Sequence, residues 1–146
     1  MTRPSQPRAT LTTLYAGAVL TAGAAAAPVV DRLTGQVLAA HIRHGYPTYS
    51  DHRVDVAVTT WLVLLAAVGV VGLASWALTI WAVSTGRAWG RLVATIAFAA
   101  GTTVALSALL TKDTSGEVGL APLLGWIGLL PCVAGLITVV RLWRRA

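Results

Sequence analysis

Apolar residues along this chain fall into four long runs, separated by short stretches that carry every charged residue. The charge-free runs are Leu11–Val30, Val56–Gly86, Leu92–Thr111 and Val118–Val140. Each holds at least 20 residues, and an α-helix of that length crosses about 30 Å of hydrocarbon. The pattern predicts an all-α protein, an integral membrane four-helix bundle in one domain covering residues 1–146. Its spans are expected at about 11–30, 57–83, 91–111 and 120–141. The first run also has the outline of a cleavable leader: Arg3 and Arg8 precede Leu11–Leu20, and Ala22–Ala27 offers small-residue cleavage positions. Its continuation through Pro28, Val29 and Val30 favours a retained span, as does a four-residue repeat of small side chains at Thr13, Gly17, Thr21 and Ala25.

The aromatic residues fit the same spans. Trp61 and Trp81 are 20 residues apart, about 30 Å along a helix, and so belong at opposite interfaces. Trp126 and Trp143 do nearly the same in the fourth span, with Tyr15 and Trp89 joining one of the two belts. Trp76 is too deep for a belt. It is expected between helices, with its indole N–H on a neighbouring hydroxyl or carbonyl. Gly86 is placed to stop the second span, so the second and third form an antiparallel hairpin. Small residues line the third span at Ala97, Gly101 and Ala105 and the fourth at Gly125, Gly128, Cys132 and Gly135, around an expected kink at Pro131.

Composition agrees with this reading and charge orients it. Hydrophobic residues make up 56% and charged residues 11%, against about 25% charged in a soluble domain. Seven arginines (Arg3, Arg8, Arg87, Arg91, Arg141, Arg144 and Arg145) lie on one side of the spans with no acidic residue. The other side holds Arg32, Arg43, Arg53 and Lys112 against Asp31, Asp51, Asp55, Asp113 and Glu117. Short basic loops stay in the cytoplasm, which predicts cytoplasmic N- and C-termini in the cell membrane. The net charge of +6 follows from that topology, and no basic groove with interleaved aromatics points to nucleic acid.

The segment 31–55 is the one external loop large enough to carry a site. A short helix over Thr34–His44, stopped by Gly45, is expected to form an extracytoplasmic helical lid between the first two spans. Thr48–Asp51 matches a capping box before the second span. All three histidines lie in this loop. His41 and His44 share a helix face, and His52 with Asp51 or Asp55 would complete a tetrahedral zinc set, although the spacing matches no established zinc signature. The Lys112–Glu117 stretch reads as a tight turn, with Thr114 capping towards Glu117 or Pro122 starting the last helix.

Several functions are disfavoured. The spans contain no charged residue or histidine, the usual mark of proton and ion pathways and of membrane haem ligation. Cys132 is the single cysteine, which rules out an intrachain disulfide. No phosphate-binding loop, serine elbow or H-E-x-x-H pattern occurs. Thr95, Thr102, Thr103 and Ser107 offer hydroxyls for passive conduction, but such hydroxyls also bond to their own helix.

The strings Gly72-Leu-Ala-Ser-Trp76, Asp113-Thr-Ser-Gly-Glu117 and Leu124-Gly-Trp-Ile-Gly-Leu-Leu-Pro-Cys132, with ten arginines against one lysine, resemble the small four-span membrane proteins common in high-GC actinobacteria. That resemblance implies a cell-envelope setting and no particular activity. The sequence therefore points to a non-enzymatic multi-pass protein, a structural or accessory component of a membrane assembly. It would contact the lipid bilayer and either a membrane-protein partner or further copies of itself. An oligomeric channel or transporter subunit is the alternative, and an extracytoplasmic zinc-binding membrane protein is the third reading.

Overall fold

A computed structural model describes residues 8–144. Arg3 and Arg145, two of the arginines counted on the basic side, lie outside them. Over the described residues the fold is all-helical, with five helices: α1 (Arg8–Leu33), α2 (Val37–Gly45), α3 (Asp51–Ser84), α4 (Gly90–Leu110) and α5 (Pro122–Trp143). All but α2 are long and apolar enough to cross a membrane. Among the described residues there is no strand, only an isolated antiparallel bridge between Lys112 and Val118.

The four long helices form a ring in which α1 packs on α3 and α5, and α4 packs on the same two helices from the other side. The first segment is therefore an integral wall of the bundle. One end of the ring is closed by α2. There Leu38 and Ile42 join Val54, Val58, Leu120, Ala121 and Leu124 in a buried cluster, hereafter the lid end. The opposite end carries the α3–α4 connection and is the turn end.

Helix α3 stops where expected. Gly86 has φ of 70°, a left-handed conformation that costs glycine little. Around it the Arg87 N–H bonds to the Ala82 carbonyl at 2.9 Å and the Gly86 N–H to Val83 at 3.1 Å. This paired pattern satisfies the last carbonyls and turns the chain back. At its start α3 extends ahead of the apolar run. The helix begins at Asp51 and runs 34 residues, because Asp51, His52, Arg53 and Asp55 form a hydrated first turn outside the apolar run. The capping residue is Ser50 rather than Thr48, its hydroxyl accepting from the Arg53 N–H at 3.4 Å. The last helix has Pro122 in its first turn and continues through Pro131 to Trp143.

Helix α2 is shorter than the sequence implied and is capped from a distance. Gln36, at its N-cap, is left-handed with φ of 48° and makes no side-chain cap. The Asp31 carboxylate instead accepts from the N–H groups of Val37 at 2.8 Å and Leu38 at 3.0 Å. An anion at this position satisfies two otherwise free donors and complements the helix dipole. Arg32, beside it, bonds to Asp55 at 2.7 Å and to the Thr59 hydroxyl at 2.9 Å, tying α1 to α3 next to the lid.

Candidate functional site

Small residues let α1 and α3 come close, and one large residue uses that space. Trp76 lies across α1 over Gly17, and its indole N–H donates to the Thr21 hydroxyl at 2.8 Å. The Thr21 hydroxyl in turn donates to the Gly17 carbonyl at 2.8 Å. The deep tryptophan thus finds the hydroxyl partner its position required. Further along the same seam, a Cβ on Gly69 would meet Ala25 at 2.5 Å.

On the other side of the ring the small residues divide into two kinds. Gly125 and Gly135 receive Leu109 and Phe98 of α4, whose atoms would lie 2.7 and 3.0 Å from an added Cβ. Gly101 and Gly128 have nothing within 4 Å of such a Cβ. They border a cavity of about 450 Å³ at the centre of the bundle, lined from all four long helices. This volume falls within the range of about 300–1,000 Å³ typical of small-molecule sites.

The cavity is apolar and its few hydroxyls are occupied. Thr79 donates to Ser75, Ser75 to Val71 and Thr138 to Ala134, each to a carbonyl of its own helix. Thr21 is taken up by Gly17 and Trp76. No lining side chain carries a charge, so the space offers no ligand set for an ion and few partners for water. Its walls are unequal. Every lining residue on α1 and α5 is buried or half-buried, whereas Ala67, Val68 and Val71 on α3 and Ala100, Gly101 and Val104 on α4 are exposed. The cavity opens sideways, through a slot between α3 and α4.

The turn end of the bundle is cationic. The Arg87 guanidinium lies 4.6 Å from the Trp81 ring centre and that of Arg91 5.1 Å from Trp143. Trp81 packs on Trp89 with centroids 5.8 Å apart. Trp143 also donates to the Thr95 hydroxyl at 3.0 Å. Arg141 bonds instead to the Ala9 carbonyl at 2.6 Å and to the Thr13 hydroxyl, joining α5 to α1. The two ion pairs found among the described residues, Arg32–Asp55 and Arg43–Asp51, are both at the lid end.

The lid end gathers the residues singled out for metal chemistry but engages them separately. His41 Nε2 lies 2.6 Å from the Val118 carbonyl, which fastens α2 to the 112–118 turn. His44 and His52 are exposed, and Asp51 accepts from Arg43 at 3.2 Å. Among the described residues no three His, Cys, Asp or Glu side chains are grouped to hold a metal ion. The lid is secured by neutral contacts as well: Tyr46 and Thr114 share a hydrogen bond of 2.8 Å, and Tyr46 stacks on Tyr49 at 4.5 Å. Thr114 therefore holds the lid rather than capping towards Glu117. Asp113 organises the turn, accepting from the Ser115 hydroxyl and from its N–H at 2.8 Å. The hydroxyl bond above all holds the Asp113 carboxyl below its ordinary pKa. The cleft between α2 and this turn is only about 10 Å³, room for one water at most.

Neither the cavity nor the stacking of Arg87 and Arg91 on indole rings was anticipated from sequence. The signal available was the pair Gly101 and Gly128, which reads the same whether or not a neighbour fills the space. Comparison of the chain with protein-family models, with curated proteins and with solved structures gave no match.

Proposed function

We propose that this chain is a non-enzymatic multi-pass protein of the cell membrane, an accessory component that holds an apolar molecule taken from the bilayer. The observation that carries this reading is the 450 Å³ cavity, apolar and flanked by exposed lining residues on α3 and α4. In a bilayer that slot faces acyl chains, so an apolar molecule enters without crossing water. The excess of arginine at the turn end puts that end, with both termini, in the cytoplasm and the α2 lid outside.

Conduction through the axis finds less support. Thr95 and Thr103 bond to carbonyls of their own helix at 2.8 Å, and the cluster around Leu38, Ile42 and Leu124 blocks the lid end. Reconstituted protein is expected to give no ion flux. The direct test is mass spectrometry of organic extracts from purified protein. Wild type should carry an apolar molecule in near-stoichiometric amount, and Gly128→Leu, which places its side chain in the open space, should carry far less. Equal recovery from both proteins would defeat the reading. Orientation is checked by labelling from outside in a Cys132→Ser background: Ser50→Cys and Ser115→Cys should react and Ala88→Cys should not.

A further inference from the structure

The outline of the central cavity describes the shape of what fills it. Its lining runs from Leu65 to Thr79 on α3, from Ala94 to Ala108 on α4 and from Leu124 to Thr138 on α5. Each pair is 14 residues apart, about 21 Å along a helix. Thr79, Ala94 and Thr138 are all four or five residues from the turn end of their helices, so the three stretches lie level and the cavity runs along the bundle axis. It stays hollow because α4 turns Ala94, Ala97, Gly101, Ala105 and Ala108 towards it. These recur every three or four residues on one helix face, and none has a side chain that reaches across.

Volume and length count the same number of carbons. An apolar cavity of about 150 Å³ takes up benzene, and by that measure roughly eighteen carbons fit here, in about 450 Å³. With bonds of about 1.5 Å and angles near 111°, a zigzag chain advances about 1.25 Å per carbon, so about 21 Å takes about seventeen. The two counts agree only if the space is one chain wide. A fused-ring molecule, two carbon rows across, would fill this volume in about half the length. Lipid tails are as apolar as these walls, so no hydrophobic gain draws a ligand in. The gain is packing, because atoms around an empty space forgo dispersion contacts that an inserted chain restores. We propose that the cavity holds one hydrocarbon chain of a membrane lipid, extended along the bundle axis with its polar group outside the lined stretch. This rests on the cavity reading above and adds the class and the conformation of the ligand.

The test uses the purified full chain in detergent and octadecanoic acid carrying a photoreactive diazirine near its head, at mid-chain or near its methyl end. The three probes should modify lining residues at successive levels of α5: one end near Leu124, the middle near Pro131 and Cys132, the other end near Thr138. Unlabelled octadecanoic acid should suppress this labelling at least ten-fold better than a steroid of similar carbon number. The intact mass of the lipid retained by untreated protein identifies the source, a two-chain phospholipid or a single-chain lipid, either of which supplies the chain. One labelled level shared by all three probes, or equal suppression by the steroid, would overturn the extended-chain assignment alone. So would absent labelling while organic extracts still yield an apolar molecule that Gly128→Leu loses. Absent labelling together with empty extracts would overturn the cavity reading as well.

Discussion

Replacing Gly17 with alanine adds one methyl group at the point where Trp76 crosses α1. The added Cβ would lie 2.8 Å from Trp76 Cε2 and nearer still to two other ring atoms, where carbon atoms normally keep about 3.5–4.0 Å apart. The ring has to withdraw by about 1 Å. Doing so stretches the 2.8 Å bond from its N–H to Thr21 beyond useful length. Overpacking of this kind costs about 1–3 kcal/mol, and a lost interhelical hydrogen bond in a membrane protein about 0.6 kcal/mol, at most about 1.7. Alanine's better helix propensity returns up to about 1 kcal/mol. It returns less in detergent unfolding, where the denatured chain stays helical. The net expectation is a loss of about 2 kcal/mol.

Gly128→Ala is the internal control, since its Cβ meets open space. It should be neutral or up to about 1 kcal/mol stabilising. The assay is reversible unfolding in mixed micelles of increasing dodecyl sulfate, followed by tryptophan fluorescence. Wild type, Gly17→Ala, Trp76→Leu and the double variant together give the coupling between the two positions. The double variant should lose less than the sum of the single ones. Equal stability of Gly17→Ala and Gly128→Ala, or strict additivity in the cycle, would refute the packing argument.

Two further expectations concern the lid. Asp31→Ala removes the distant cap of α2 and should destabilise the lid locally by about 1 kcal/mol, read as faster amide exchange at Val37 and Leu38 with the α3 core unchanged. Asp113 has a lowered pKa in the folded turn, so its contribution to stability is present above the unfolded carboxylate pKa and is lost as pH falls through the folded value. Ser115→Ala removes the main cause and should raise the Asp113 pKa in a carboxyl NMR titration; an unchanged value would show that another contact sets it.

How much of this was legible in the sequence depended on whether the deciding interaction was local. The stop at Gly86 and the start at Pro122 follow from single-residue backbone chemistry. The role of Trp76 followed from its depth and its one polar atom. The helix α3 begins ahead of the apolar run, because Asp51–Asp55 forms a capped and hydrated first turn. Charge marks where a segment enters water, and a helix continues past that point when its first turn is hydrated and capped. The Asp31 cap was not legible because it acts on amides six and seven residues ahead, across a left-handed Gln36. The cavity was hidden for a different reason. Gly125 and Gly128 are neighbours in one stripe, yet Leu109 fills the space at the first and nothing fills it at the second. That difference is set by the side chains of α4, not by the glycines.

The bond from Arg141 to Ala9 and Thr13 has a consequence for biosynthesis. It links α1 to α5, and both α1 and α4 have α5 as a neighbour. Until α5 leaves the ribosome, α1 and α4 each lack one of their two long-helix neighbours and the central hollow lacks one wall. Closure is then a late, single event, and a stop codon ahead of α5 would leave quality-control proteases an unfinished substrate rather than a weakened version of the same molecule.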